Sequence, residues 1–327
     1  MAKKASRPLV YVADKPDTGP AHAITREKIK AAAKRHPGVF DKVDIVWGLK
    51  PKDLAEAEIV LGVAFDPLTL RKDAPKLKWI QSLNAGVEKL APKMDRSFTL
   101  TNASGLHGPK GGEFALASMM ILNNAVQFFV GSQRKREWKP VFTTPIEGKT
   151  VVIAGTGGLG QATARQAKKH KMTIIGVNTT GKKVPGFDRV VKAKDMAKVF
   201  PKADFLVVTL PITKGTENLI DRSLINRLPN HCGVVNIGRA RVMDYGAMVD
   251  RLRSGTLAGA VCDVFDPEPL PADSPLWDVP NLIVSPHAGV DDGSVYVDRG
   301  LDIFADNLKR YLSGRKLRNV IDYDAGY

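Results

Sequence analysis

From residue 150 onward, short runs of β-branched and aliphatic residues alternate with segments of helical spacing, an order that calls for a parallel sheet with crossover helices. Thr150 to Ala154, Thr173 to Val177, Phe205 to Leu210, Gly233 to Ile237, Leu257 to Asp263 and Leu282 to Ser285 read as strands, about six in a doubly wound sheet. Gln161 to Lys171, Asp221 to Leu228 and Asp244 to Arg253 read as the helices between them. Asp221 and Asp244 stand where a side chain caps a helix start, and Gly255 where a helix ends.

Residues 7 to 104 form a smaller alternating unit. Leu9 to Ala13, Ile59 to Val63, Trp79 to Ser82 and Thr99 to Asn102 read as strands, and a Lys/Ala-rich helix runs from Thr25 to His36, stopped by Pro37-Gly38. A long helix then begins near Gly112. Its Phe114, Leu116, Met119, Met120, Leu122, Phe128 and Phe129 are apolar on more than one face, so it is expected to bury against the other domain or another subunit. Asp291 to Leu312 reads as a capped helix with Leu301, Phe304, Leu308 and Tyr311 or Leu312 at helical spacing, packing back onto the first unit. The expected architecture is therefore α/β, with two Rossmann-like open parallel-sheet domains and a cleft between them. The first is discontinuous, residues 1–104 with 291–327, and the second spans 105–290.

With 327 residues the chain is long enough for two such cores. Its 43% apolar and 25% charged residues exclude wholesale disorder. No apolar run reaches the roughly 18 residues that span a bilayer, and the start Met-Ala-Lys-Lys-Ala-Ser has no signal-like apolar stretch, so a cytoplasmic protein without a membrane partner is expected. Cys232 and Cys262 lie in apolar strand-like runs and read as buried thiols rather than a disulfide framework. The net charge of +15 is spread out, with 12 basic against 4 acidic residues over 151–220, and it lacks an Arg-rich arm or basic-aromatic alternation. It reads as a solvated surface compatible with an anionic substrate and cofactor, and no nucleic-acid partner is expected.

Gly155-Thr156-Gly157-Gly158-Leu159-Gly160 is a G-x-G-x-x-G that follows an expected strand and opens a helix. In that setting Gly155 permits a tight turn, Gly157 lets the backbone approach a pyrophosphate and Gly160 allows close helix packing, the pattern of dinucleotide binding. A carboxylate for an NAD ribose is expected about 20 residues on. Asn178 stands there instead, followed by Thr179, Thr180, Lys182 and Lys183, which favours NADP over NAD because nothing repels a 2′-phosphate. Arg239, Glu268 and His287 each follow a strand, placing them at carboxyl ends where open α/β sheets bind ligands. A carboxylate beside an imidazole favours its protonated form and so a general acid, and a fixed Arg binds a carboxylate or polarises a carbonyl.

These motifs together resemble the D-isomer-specific 2-hydroxyacid dehydrogenase family, from about Leu9 to the C-terminus. Gly155 to Gly160 resembles its cofactor fingerprint, Asn236-Ile237-Gly238-Arg239 its catalytic Arg segment, Asp263 to Leu270 its Glu segment and Ser285-Pro286-His287 its His segment. Asn84-Ala85-Gly86-Val87 is similar to the family loop whose backbone N–H groups hold the substrate carboxylate. Ala240 departs from the Gly usual after the Arg. The resemblance implies Arg239, Glu268 and His287 as catalytic residues, with Ala85, Gly86, Val87 and Arg239 on the substrate. It also implies Leu210, Pro211, Ile237, Gly238 and Asp263 around the cofactor, Asp263 near the nicotinamide carboxamide, with no metal. Asn178, Pro269 to Trp277 and the terminal Gly326-Tyr327 look most like the glyoxylate/hydroxypyruvate reductase branch. The expected activity is reduction of a small 2-oxo acid with NAD(P)H by a homodimer. The alternative is a corepressor-like, dinucleotide-binding interaction protein of the same fold.

Overall fold

The computed structural model describes residues 7–14, 19, 22–48 and 51–326; the N-terminal Met-Ala-Lys-Lys-Ala-Ser and Tyr327 lie outside them. The chain divides into two compact units, one reaching Leu106 and resuming at Asp292, the other running from His107 to Asp291.

The first unit opens with β1 (Leu9–Ala13) and α1 (Arg26–Arg35), whose Thr25 cap accepts from the Lys28 N–H. Then follow β2 (Asp44–Trp47), α2 (Pro51–Glu56), β3 (Ile59–Gly62), α3 (Leu70–Asp73), β4 (Trp79–Gln81) and β5 (Thr99–Thr101). The strands form one parallel sheet in the order β2-β1-β3-β4-β5. Strand side chains point alternately to opposite faces. Thus Val10 and Val12 join one buried cluster, and Tyr11 and Ala13 another on the other face.

In the second unit a helix begins at Gly108 rather than near Gly112, because Pro109 suits a helix's first turn, where no N–H partner is needed. It is also two helices rather than one. α4 (Gly108–Asn123) stops where Ala125 adopts φ +52°, and α5 (Val126–Arg134) leaves at 61°. The Asn124 side chain competes for the Met120 carbonyl at that break. Among the described residues no single helix is long and apolar enough to cross a membrane.

The sheet of this unit comprises β6 (Thr150–Ala154), β7 (Thr173–Asn178), β8 (Arg189–Lys192), β9 (Phe205–Val208), β10 (Gly233–Asn236), β11 (Gly259–Cys262) and β12 (Leu282–Val284). They are all parallel, in the order β12-β11-β10-β9-β6-β7-β8. The sheet thus has seven strands, not about six. β8 is a four-residue edge strand with a charge at each end, and only Val191 of it is buried. α6 (Gly158–Lys169) links β6 to β7. α7 (Arg222–Ile225) and α8 (Tyr245–Arg253) flank β10, capped by Asp221 and Asp244 through the N–H groups of Leu224 and Ala247. Val152 and Ala154 pack into one core, Val151 and Ile153 into the other, so both faces are covered.

The chain returns to the first unit in α9 (Tyr296–Leu312), whose Leu301, Phe304 and Leu308 are fully buried beside Trp79 and Val10. It starts at Tyr296 rather than Asp291. Asp292 instead accepts the Ser294 N–H in a tight turn, which is incompatible with a helix passing through it.

α4 lies on α6 through small residues: a side-chain carbon built on Gly112 would stand 2.8 Å from the Ala162 carbonyl oxygen. The same closeness holds α6 against the end of β6, since a carbon on Gly160 would lie 2.0 Å from the Gly155 oxygen. Gly160→Ala is therefore expected to cost about 1 to 3 kcal/mol or more from overpacking, read as a lower denaturation midpoint. An unchanged midpoint would contradict the close packing of that turn.

Candidate active site

The chemistry-bearing residues of the second unit converge on the carboxyl ends of its strands. Connections reverse direction between β9 and β6, the switch point where open α/β sheets form ligand crevices. β6 ends there in Gly155 at φ +107°, where the chain turns sharply enough that a side-chain carbon would meet the Thr209 hydroxyl at 2.6 Å. That hydroxyl donates to the carbonyls of Ala154 and Gly155 and clamps the turn. Gly157 caps α6 with nothing within 4 Å of where its side chain would be, so its backbone faces open space. The first bond of the helix is from Gln161 N–H to Gly157 oxygen, leaving the N–H groups of Gly158, Leu159 and Gly160 without intrahelical acceptors. Such an end favours an anion.

Leu159 turns its side chain toward α4 at Gly111. Leu210, after β9, borders two of the close approaches: its side chain lies beside Gly155, and its backbone would be struck by any side chain on Gly238. Pro211 follows it, its carbonyl held by the Thr216 hydroxyl.

At the end of β7 the Asn178 amide is spent on its own loop. Its Oδ1 accepts the N–H groups of Thr180 and Gly181, and its Nδ2 donates to Thr156 Oγ1 and the Lys182 carbonyl. Asn178 therefore shapes the loop, and Thr179, Thr180, Lys182 and Lys183 are left exposed around it. Among the described residues neither Lys182 nor Lys183 has a carboxylate partner. A third cation, absent from the sequence reading, joins them. Lys192 pairs in register with Asn178, and its stem runs against Gly181, where a side-chain carbon would lie 2.8 Å from the lysine Cγ. The signal for it was the strand Arg189–Lys192.

The catalytic candidates follow the neighbouring strands β10, β11 and β12. Buried Asn236 ends β10, accepts the Gly238 N–H and donates to the Arg239 carbonyl, so the Arg239 backbone is fixed by the strand itself. The half-buried guanidinium donates to the Gly238 carbonyl. Ala240, where the family has Gly, sits without positive φ at the start of a single helical turn, so the alanine is accommodated.

Asp263, after β11, is wholly buried. Its Oδ1 accepts from the Ser285 hydroxyl and from the N–H groups of Ala288 and Gly289, while Oδ2 has no protein partner. A buried carboxylate oxygen without a donor is costly, and a ligand amide would satisfy it. The carboxylate also grips the loop carrying His287, which takes φ +53°, in the left-handed region uncommon for residues other than glycine. Glu268 completes the arrangement: Oε1 accepts the Phe265 N–H at 2.8 Å and Oε2 meets His287 Nδ1 at 2.7 Å. Both side chains remain a third exposed or more. The cysteines take no part: both are buried, and burial pushes the Cys262 thiol up to about 12, so it stays protonated.

In the first unit, the loop after β4 turns its carbonyls inward. Asn84 oxygen accepts from Ala103, Ala85 oxygen from the Asn102 amide and Val87 oxygen from Leu90. Among the described residues no acceptor takes the N–H groups of Ala85, Gly86 and Val87.

This glycine turn, with a buried acid, a Glu–His pair and an arginine on adjacent strands, defines a dinucleotide-dependent oxidoreductase. Residues 116–289 match the model of the D-isomer specific 2-hydroxyacid dehydrogenase NAD binding domain. The chain is 34% identical, over 90% of its length and 95% of the relative's, to a glyoxylate/hydroxypyruvate reductase B of Pectobacterium carotovorum. A D-isomer specific 2-hydroxyacid dehydrogenase family protein from Aeromonas salmonicida superposes with TM-score 0.77 at 30% identity, covering 98% of this chain and 100% of that one. The Xanthobacter autotrophicus Py2 D-isomer specific 2-hydroxyacid dehydrogenase, solved with NADPH and MES, superposes with TM-score 0.82 at 25% identity, covering 99% and 100%. The chain belongs to the D-isomer-specific 2-hydroxyacid dehydrogenase family, and a nicotinamide dinucleotide is its cofactor class.

Proposed function

We propose that this dehydrogenase reduces a small 2-oxo acid of the glyoxylate or hydroxypyruvate kind to the D-2-hydroxy acid, with NADPH preferred over NADH. The observation that carries the reading is the direct contact of His287 Nδ1 with Glu268 Oε2 at 2.7 Å, beside the partnerless Asp263 Oδ2. The Pectobacterium relative's activity and the NADPH in the Xanthobacter structure support it.

Gly155, Gly157, Gly158, Leu159 and Gly160 would hold the diphosphate, and Leu210, Pro211, Ile237, Gly238 and Asp263 the nicotinamide half. When bound, the reduced nicotinamide supplies a hydride to the carbonyl carbon. Arg239 binds the substrate and polarises its carbonyl. His287, its Nδ1 held by Glu268, gives the proton on Nε2 to the developing alkoxide. Hydride and proton together convert the carbonyl to a hydroxyl, and Glu268 keeps the ring oriented as the proton leaves and the imidazole is left neutral.

For the cofactor, Thr179, Thr180, Lys182 and Lys183 ring the end of β7, with Lys192 behind them. A well-formed charge-assisted bond contributes about 1.5 to 3 kcal/mol, and 1.4 kcal/mol is about tenfold in affinity. Asn178, occupied within the loop, offers no carboxylate against a 2′-phosphate. The assembly reading shifts in place. α4 spends its small-residue face on α6, and the exposed apolar side chains lie further on, at Val126, Phe129 and Val130 of α5 and at Trp138 and Phe142. We infer a homodimer joined through that surface.

His287→Ala is expected to lower kcat by about a hundred- to ten-thousandfold with NADPH affinity kept; wild-type turnover would overturn the assignment. Glu268→Gln keeps the side chain's shape but removes the charged acceptor at His287 Nδ1, so kcat should fall with NADPH affinity kept. An unchanged kcat would make Glu268 structural only. Lys182→Ala combined with Lys183→Ala should narrow a preference for NADPH mainly through its KM, whereas a wild-type preference for NADH refutes the loop reading. Light scattering at micromolar concentration should report a dimer, and a monomer would count against the α5 surface.

A further inference from the structure

Tyr245, the first residue of α8, belongs to none of the motifs that define the site, yet its hydroxyl lies between two of them. It accepts from Asn236 Nδ2 at 3.2 Å and donates to the Val264 carbonyl at 2.7 Å. On one side, Asn236 spends its other amide hydrogen on the Arg239 carbonyl, and its Oδ1 on the Gly238 N–H. On the other, Val264 sits between Asp263 and Phe265, whose N–H donates to Glu268. The Tyr245 ring also meets that of Phe265 edge-on, with centroids 6.1 Å apart. Burial holds the hydroxyl protonated, so it remains a donor at every working pH.

We propose that Tyr245 is a positioning residue for the reduction: one buried hydroxyl ties the backbone carrying Arg239 to the backbone carrying Glu268, setting the substrate-binding guanidinium and the proton-donating pair in one geometry. The inference rests on the catalytic roles given above to Arg239, Glu268 and His287. Each hydrogen of Asn236 Nδ2 has one acceptor, and the hydroxyl has one donor and one acceptor partner, with the buried, protonated Cys262 thiol beside it. A buried network of this kind is stiff when every member is satisfied, and loosens at both ends when one member is removed.

The test is Tyr245→Phe, which keeps the ring and deletes both bonds, beside Asp244→Ala, which removes the helix cap next to it and leaves the hydroxyl. Tyr245→Phe is expected to raise the KM for the 2-oxo acid and lower kcat, with kcat/KM down about tenfold or more. The dissociation constant for NADPH should stay unchanged. Asp244→Ala is expected to lower the melting temperature and leave KM and kcat in place. Wild-type KM and kcat in Tyr245→Phe, or an equal loss of kcat/KM in Asp244→Ala, would overturn the proposal while His287→Ala and Glu268→Gln remain impaired. Unimpaired His287→Ala and Glu268→Gln would instead overturn the catalytic reading on which it rests.

Discussion

A side-chain carbon on Gly160 would stand 2.0 Å from the carbonyl oxygen of Gly155, and the second unit depends on the absence of that carbon. With hydrogen there, α6 can begin directly against the end of β6. Its unpaired N–H groups then lie at the sheet's switch point, where strand connections diverge and leave an opening. The Thr209 hydroxyl, bonded to both Ala154 and Gly155, couples the turn to the next strand of the sheet. Gly238 repeats the device against Leu210, so two backbone segments approach within side-chain distance on each side of β9. An anion site at one place on the edge, and the arginine loop at another, follow from the same economy of side chains.

The side that carries Glu268 and His287 is organised by a buried carboxylate instead. Asp263 is fully removed from water and is stable there only because the Ser285 hydroxyl and two backbone N–H groups converge on Oδ1. Those donors come from the segment that carries His287, so the electrostatic requirement of the acid positions the imidazole. Glu268 is tied back to Phe265 in the loop that leaves Asp263. Three adjacent strands thus contribute an arginine, an acid pair and a histidine through short loops whose backbones are each anchored. A catalytic group held this way needs little rearrangement to meet a developing charge.

Much of this was legible in the residues, because parallel strands buried on both faces are written as apolar runs and their polar termini stand out. The core strands β1, β6, β7 and β10 emerge within a residue or so of their positions, as do the Asp221 and Asp244 caps. Two of the four edge strands do not, although β5 and β12 do. β2 and β8 are paired on one side only, carry charges, and lack a continuous apolar run, so Asp44–Trp47 and Arg189–Lys192 escape pattern reading and Lys192 with them. The break at Ala125 was hidden because an alanine carries no warning of a left-handed conformation. Tyr245 and Thr209 were hidden because their roles depend on which carbonyl lies opposite. Asn178 was visible, but that its amide closes on Lys182 and Gly181 instead of facing solvent is a property of the folded loop.

The central claim is that an anchored His–Glu pair and a dinucleotide turn together reduce a 2-oxo acid. The most direct measurement follows the absorbance of the reduced cofactor while the unmutated protein is offered glyoxylate, hydroxypyruvate and bulkier 2-oxo acids in turn. The account requires steady, saturable oxidation of NADPH with the smallest of these and formation of the D-hydroxy acid in equal amount. Tight binding of NADPH with no oxidation by any 2-oxo acid would contradict it.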